Sequence, residues 1–420
     1  MLGTIERINI VIFVLFAICY SYQGVYLFIR FIKKMPVYKA KNFHRFAVII
    51  AARNEETVIG ELIRSIRSQN YPADLVDIYV VADNCTDDTA GIAEGCGATV
   101  FRRFNDEKVG KGYVLDFCFK RIARTEGLDA YDGYFIFDAD NVLDENYITE
   151  MNNVFDSGYR VVTSYRNSKN YGSNWISAGY ALWFLRESKY LNGARMICRT
   201  SCAVSGTGFL VSRDIIEKDN GWKYSLLTED VEFSTDSIIN GEVIGYAERA
   251  VFYDEQPVTF KASWNQRMRW CKGFYQVITH YGANLTRGCF LSSGKRFQCY
   301  DMLMTIAPAA LLSISLVLVN IFVAFYGIMS GHPYVTHVTV MELLWSAFNL
   351  YFTLIAFGGV TLFTEWNKIY AKKSKKILYL FTFPVFMFTY LPIAIVALFK
   401  KVTWKPIRHT YAQSVAEVRR

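Results

Sequence analysis

Apolar residues crowd the two ends of this 420-residue chain and thin out between them, which limits the possible folds more than any single motif does. Residues 8–32 form a mostly apolar run, interrupted at Tyr20, Ser21, Tyr22, Gln23 and Arg30. A helix of about 20 apolar residues can cross a bilayer. The run is too long for the apolar core of a signal peptide, and no small-residue cleavage site follows, so it reads as a retained transmembrane helix. Lys33, Lys34, Lys39 and Lys41 come next, and basic flanks stay on the cytoplasmic side. The stretch that follows is therefore expected in the cytoplasm. Three further runs, at about 303–329, 340–363 and 377–399, are each long enough to span.

The charges around these runs conflict. Residues 331–339 lack Lys and Arg and should be external, whereas 368–376 are basic and should be internal. Three full crossings would then put the basic tail, beginning Lys400-Lys401, outside. Pro384 and Pro392 could break the last run or make it re-entrant. A cytoplasmic tail is the expectation adopted.

From residue 44 to about 253 the texture is that of a soluble α/β domain. Short apolar runs at 46–51, 76–81 and 134–137 read as buried strands, and Val58, Leu62, Ile63 and Ile66 sit at helical spacing within 55–69. Strands alternating with amphipathic helices imply a mostly parallel sheet, whose ligands bind beyond the carboxyl ends of the strands. After Trp264, a segment mixing Arg and Lys with aromatics reads as a helix on the membrane surface, or else as a plain soluble helix. The net charge of +8 fits basic flanks of membrane spans; no basic-aromatic motif supports nucleic-acid binding. The nine Cys form no CxxC pair, which argues against a disulfide framework or a zinc cage.

The polar motifs fall at strand ends. Asp138-Ala139-Asp140 follows a strand, and two Asp one residue apart on an extended chain point the same way. Mg²⁺ or Mn²⁺ bridging a diphosphate needs such carboxylates, although a solvated turn would look the same. Asp83 follows another strand and suits a ribose or base; the nearby Thr86 and Asp87 suit helix capping equally well. Asn54 and Glu55 carry the same ambiguity. Gly110-Lys111-Gly112 could bring a cation close to a phosphate without being a P-loop. Thr228-Glu229-Asp230 offers either a general base or a helix cap. Gln266-Arg267-Met268-Arg269-Trp270 combines guanidinium groups suited to a leaving diphosphate with an indole face suited to a pyranose; an interfacial Arg/Trp stretch is the plainer explanation.

Taken in order, Asp83, Asp138-Ala139-Asp140, Thr228-Glu229-Asp230 and Gln266 to Trp270 resemble the D, DxD, TED and Q(Q/R)xRW signature of the processive, inverting glycosyltransferases of family 2. That group contains the cellulose, chitin, hyaluronan and poly-N-acetylglucosamine synthases, and the chain looks nearest to a bacterial β-glucan synthase. The resemblance implies a GT-A-like α/β cytoplasmic domain set between transmembrane helices, with amphipathic interface helices. It divides the chain into an N-terminal membrane helix (1–35), a catalytic domain (36–260), interface helices (261–302), channel helices (303–400) and a cytoplasmic tail (401–420).

The same resemblance implies roles. Asp83 would bind uridine with Asn54, Glu55 and Lys111. Asp138 would contact the nucleotide and share the metal with Asp140, the ion being Mg²⁺ or Mn²⁺. Asp230, beside Glu229, would be the general base. Gly206, Thr207 and Gly208 would form the acceptor-side loop. Gln266, Arg267 and Arg269 would hold the diphosphate side, and Trp270 would underlie the acceptor sugar. Thr403 and Lys405 lie in Val402-Thr403-Trp404-Lys405, which resembles a gating loop whose neighbours depart from the pattern.

The implied partners are a UDP-sugar, with UDP-glucose slightly preferred, a growing β-linked polysaccharide, the plasma-membrane bilayer and accessory export proteins. The competing expectations are a UDP-GlcNAc- or hyaluronan-type synthase, a non-processive transferase acting on a lipid carrier, a transporter with a nucleotide-binding domain, and a catalytically silent sensor.

Overall fold

The computed structural model describes residues 2–291 and 294–420. Its centre is an eight-stranded sheet: β1 (Phe46–Ala52), β2 (Val76–Asp83), β3 (Thr99–Arg103), β4 (Gly133–Asp138), β5 (Val142–Leu143), β6 (Val161–Ser168), β7 (Phe209–Ser212) and β8 (Ile244–Asp254), in the order β3-β2-β1-β4-β7-β6-β8-β5. β1 lies between β2 and β4, parallel to both, and Phe46 to Ile50 are fully buried. That explains the unbroken apolar run, because a central parallel strand is covered on both faces. β7 runs antiparallel to β4 and β6, and β5 antiparallel to β8; the other pairings are parallel. This is the expected GT-A-like α/β architecture.

Register brings the motifs to one edge. Ala52 pairs with Ala82 and Ala51 with Asp138, so β1, β2 and β4 end level with each other. The reversed strand β7 starts at that same edge, where the Gly208 N–H donates to Ile136 O at 2.9 Å. Gly208 has φ +67°, and a Cβ there would stand 2.4 Å from the Phe252 ring, so only glycine fits.

Among the described residues, four stretches are long and apolar enough to cross a membrane: Glu6–Ile32, Leu311–Met329, Pro333–Thr364 and Lys373–Phe399. Phe13, Phe28, Phe322 and Phe348 stand exposed on the first three, a cost in water that lipid removes. Their helices, Leu2–Ile32, Pro308–Met329 and Pro333–Thr364, share a polar seam. Asn320, only 1% exposed, exchanges hydrogen bonds with Asn9 at 2.8 and 3.1 Å, and Asn9 Nδ2 donates to Glu342 at 2.6 Å.

The fourth stretch is two helices, Lys373–Phe388 and Tyr390–Phe399, with Pro384 inside the first. The segment starts beside the α/β domain, where Lys375 Nζ donates to Gly172 O, and the tail that follows it comes back to the same place, where Tyr411 bonds Ser173 Oγ at 2.8 Å. The tail therefore lies against the α/β domain. Lys401→Cys and Lys120→Cys are accordingly expected to react with an impermeant maleimide from the same side of sealed vesicles. Labelling from opposite sides would contradict a tail docked on the α/β domain.

Candidate active site

The level ends of β1, β2 and β4 open into a cleft walled by the 205–208 loop, the start of helix Glu229–Asn240 and the C-terminal tail. Asp83 is 3% exposed and its carboxylate is gripped by the Arg103 guanidinium, which also donates to Lys108 O at 2.6 Å. Burial pushes the Asp83 pKa up, and Arg103 works against that. Asn54, at φ 57°, uses its side-chain oxygen to accept the Thr86 N–H at 2.8 Å, so it braces the loops around Asp83. Lys111 Nζ bridges Asp138 and Gly206 O, the latter at 2.8 Å, and the Asp138 side chain is 41% exposed to the cleft. Thr207 Oγ1 accepts the Asp138 N–H at 2.8 Å and donates to Asn141 at 2.6 Å, tying the glycine loop to the DxD turn.

Asp140 is 5% exposed and accepts the Glu255 N–H at 2.9 Å. Opposite it stands a residue that the sequence did not point out. His409 Nδ1 lies 2.9 and 3.0 Å from the two oxygens of Glu55, and its Nε2 is 4.0 Å from Asp140 Oδ2. Burial alone would lower the His409 pKa; Asp140, Glu55 and Glu255 outweigh it and lift it to about 10. Burial raises Glu55 to about 7, against the pull of His409. Glu255 anchors this part of the tail by accepting the Thr410 and Tyr411 N–H groups, each at 2.9 Å.

This donor set suits a hard divalent cation. Asp140 and the His409 imidazole face each other, Asp138 stands one residue away on the same turn, and the other imidazole nitrogen is oriented by Glu55, as second-shell partners do; a cation here would displace the proton that the raised pKa keeps on His409. Among the described residues no three His, Cys, Asp or Glu side chains stand close enough together to hold a metal ion by themselves. An ion here would take its remaining ligands from a diphosphate.

Asp230 Oδ2 accepts the Gly206 N–H at 2.6 Å. Burial pushes the Asp230 pKa up, opposed by the Val231 amide, Lys111 and the Gly206 amide. Glu229 is likewise raised by burial and by Asp230. Arg269 Nε and Gln266 Oε1 are buried without a hydrogen-bond partner. Trp270 is half-buried, edge-on to Tyr180 and Phe184 at 5.6 and 6.1 Å between ring centroids.

Arg267 makes its contacts away from the sheet edge. It is fully buried, donates to Phe386 O at 3.1 Å and Thr389 Oγ1 at 2.6 Å, and lies over the rings of Phe386 and Tyr390. These contacts serve the break between the two C-terminal helices, where a backbone carbonyl has lost its helical partner. Its NH1 thus braces that joint, while its NH2 is buried without a hydrogen-bond partner. Thr403 and Lys405 are exposed on the tail; between them Trp404 packs against Arg53, 5.4 Å from ring centroid to guanidinium.

Residues 44–273, over half the chain, match the family described as Glycosyltransferase like family 2. The chain belongs to that family. Among curated family 2 relatives, the β-monoglucosyldiacylglycerol synthase of Synechocystis is 25% identical over 57% of this chain and 50% of its own length. The poly-β-1,6-N-acetyl-D-glucosamine synthase of Staphylococcus epidermidis is 25% identical over 61% and 62%. The chain thus spans about half to three fifths of these relatives. A solved mannosyltransferase from Pyrobaculum calidifontis, PcManGT in complex with GDP-Man and Mn²⁺, superposes with a TM-score of 0.55 and 16% identity, covering 94% of this chain and 99% of that one. It shares the fold.

Proposed function

We propose that this family 2 member transfers a hexosyl unit from a UDP-sugar, with inversion, to an acceptor that reaches the cleft from the bilayer surface. The observation that carries this reading is the gathering of Asp83, Asp138, Asp140 and Asp230 on one sheet edge, next to helix Phe260–Leu291, which bears Arg269 and leads into the apolar segments. In this reading Asp83 and Arg103 take the nucleoside side, and Lys111 and Arg269 the diphosphate side. A divalent cation held by Asp138, Asp140 and His409 would offset charge on the leaving UDP. Asp230 removes the acceptor hydroxyl proton, and the Gly206 amide holds its carboxylate in place. The domain would face the cytoplasm.

Two acceptors are chemically open. Elongation of a β-linked polysaccharide, with translocation, is favoured by the complete D, DxD, TED, QRMRW order. Transfer of a single sugar to a lipid has stronger geometric support. Three of the apolar helices pack directly on one another through Asn9, Asn320 and Glu342, and Arg267 fastens the joint within the fourth apolar segment. The two relatives named above are, by name, a glucosyl-lipid enzyme and a poly-GlcNAc enzyme, so they divide between the same two options.

The test is vesicles supplied separately with labelled UDP-glucose and UDP-GlcNAc, plus Mg²⁺ or Mn²⁺. Products are split by solvent extraction and by linkage-specific glycanases. A one-sugar, lipid-soluble product is expected. A glycanase-sensitive polymer would establish the other acceptor, and no transfer from either donor would remove the UDP-sugar reading.

A further inference from the structure

A single peptide unit separates a buried arginine from Asp230. Arg166, at the third-last position of β6, donates through NH1 to Ser205 O at 3.0 Å. The N–H on the other side of that same amide belongs to Gly206 and donates to Asp230 Oδ2 at 2.6 Å. Guanidinium, amide dipole and carboxylate therefore stand in line, an arrangement in which each hydrogen bond polarises the next. The loop can make this turn because Gly206 holds φ +78°.

Arg166 is itself tightly held. Its Nε donates to Asp254 Oδ2 at 2.7 Å, its guanidinium carbon lies 3.5 Å from the centroid of the Phe184 ring, and Gln256 Nε2 donates to the other Asp254 oxygen at 2.6 Å. A small polar cavity, about large enough for one water, is lined in part by Arg166, Glu187, Ser205 and Thr207. The guanidinium is thus 14% exposed and aimed at a carbonyl, and it touches no group that the reaction consumes.

We propose that Arg166 is a positioning residue for the base, orienting and polarising the Ser205–Gly206 peptide that pins Asp230. The inference rests on Asp230 acting as the base. The charged groups around Asp230 are Lys111 on helix Lys111–Thr125, Glu229 on its own helix, Asp138 at the end of β4, and Glu187 at the start of the π-helical stretch Glu187–Asn192 that continues helix Trp175–Arg186. Lys111 has a second tie to the loop, through Gly206 O, so it holds the loop when Arg166 is changed. What Arg166 adds is the polarity of the amide. Without it the carboxylate is less stabilised, and protonation shuts off the base at a higher pH.

The test compares Arg166→Lys and Arg166→Met with the unaltered protein across pH, measuring sugar transfer, and measures UDP affinity by calorimetry as a check on folding. The ammonium of Arg166→Lys can still pair with Asp254 but lacks the fork that reaches Ser205 O. Both variants are expected to move the acid limb of kcat upward by about half a pH unit or more and to lower kcat about ten-fold, with UDP affinity within about two-fold. If Arg166→Met fails to fold because Asp254 is left unpaired, the limb of Arg166→Lys decides. An acid limb unmoved in the folded variants would overturn the proposal. Asp230→Asn, run alongside, separates the two ideas: if it keeps full activity, the assignment of the base fails first, and if it is inactive while the limb stays put, only the role of Arg166 fails.

Discussion

Asp230→Asn is expected to lower sugar transfer by about a thousand-fold while UDP affinity stays within about two-fold. The amide has the size of the carboxylate and can still accept the Gly206 N–H through its carbonyl oxygen, so the loop keeps its place. What is lost is a site for the acceptor proton. In the unaltered protein the sign of the pH effect follows from the same group. Asp230 works ionised, and burial has raised its pKa from the ordinary carboxylate range. Activity should therefore fall as pH drops towards the carboxylate range, earlier than an exposed aspartate would allow. Turnover of Asp230→Asn within ten-fold of the original would remove Asp230 as the base.

The second large effect concerns the cation. Asp140→Asn preserves the side-chain shape that accepts the Glu255 N–H but removes a charge that a divalent ion needs. UDP binding measured by calorimetry with and without Mn²⁺ should lose its metal-dependent part, by about a hundred-fold in affinity. His409→Ala should lower the same quantity by about ten-fold or more, and Glu55→Gln less, since Glu55 reaches the site only by orienting the imidazole. Binding of UDP in the absence of metal should be alike in all three. If Asp140→Asn retained the full Mn²⁺ dependence, the ion would have to be held elsewhere. If only His409→Ala did, the tail would be a cover over the site and not a ligand.

Most of the scaffold could be read from side-chain pattern. The strands at 46–51, 76–81 and 134–137 appear in the structure as Phe46–Ala52, Val76–Asp83 and Gly133–Asp138, the latter two running on to an Asp that breaks the apolar run. The expected helix at 55–69 is shorter, Ile59–Arg67, because Asn54 takes a left-handed conformation and Glu55 turns to meet the tail. The run expected to span from 303 is broken at Ala307, between Arg296–Ile306 and Pro308–Met329, where Pro308 cannot continue the hydrogen-bond ladder. All nine cysteines are free, in keeping with their spacing.

Side chains whose partners lie far along the chain were not readable. Arg267 sits within an apparent diphosphate motif, yet its nearest groups are Phe386 O and Thr389, more than a hundred residues later. His409 is a single histidine in an irregular tail, with no spacing signal to set it apart. Arg166 lies in a strand like any other half-buried arginine until Ser205 and Asp254 are brought beside it.

What the sequence determined by itself was the set of elements, their order, and the edge of the sheet at which the acidic motifs stand, because periodicity and strand-end position are local properties. Only the tertiary structure decided that the tail docks on the α/β domain and delivers His409 to Asp140. Those outcomes depend on hydrogen bonds between residues hundreds of positions apart, and local sequence carries no record of which distant carbonyl or carboxylate will be left in need of a partner.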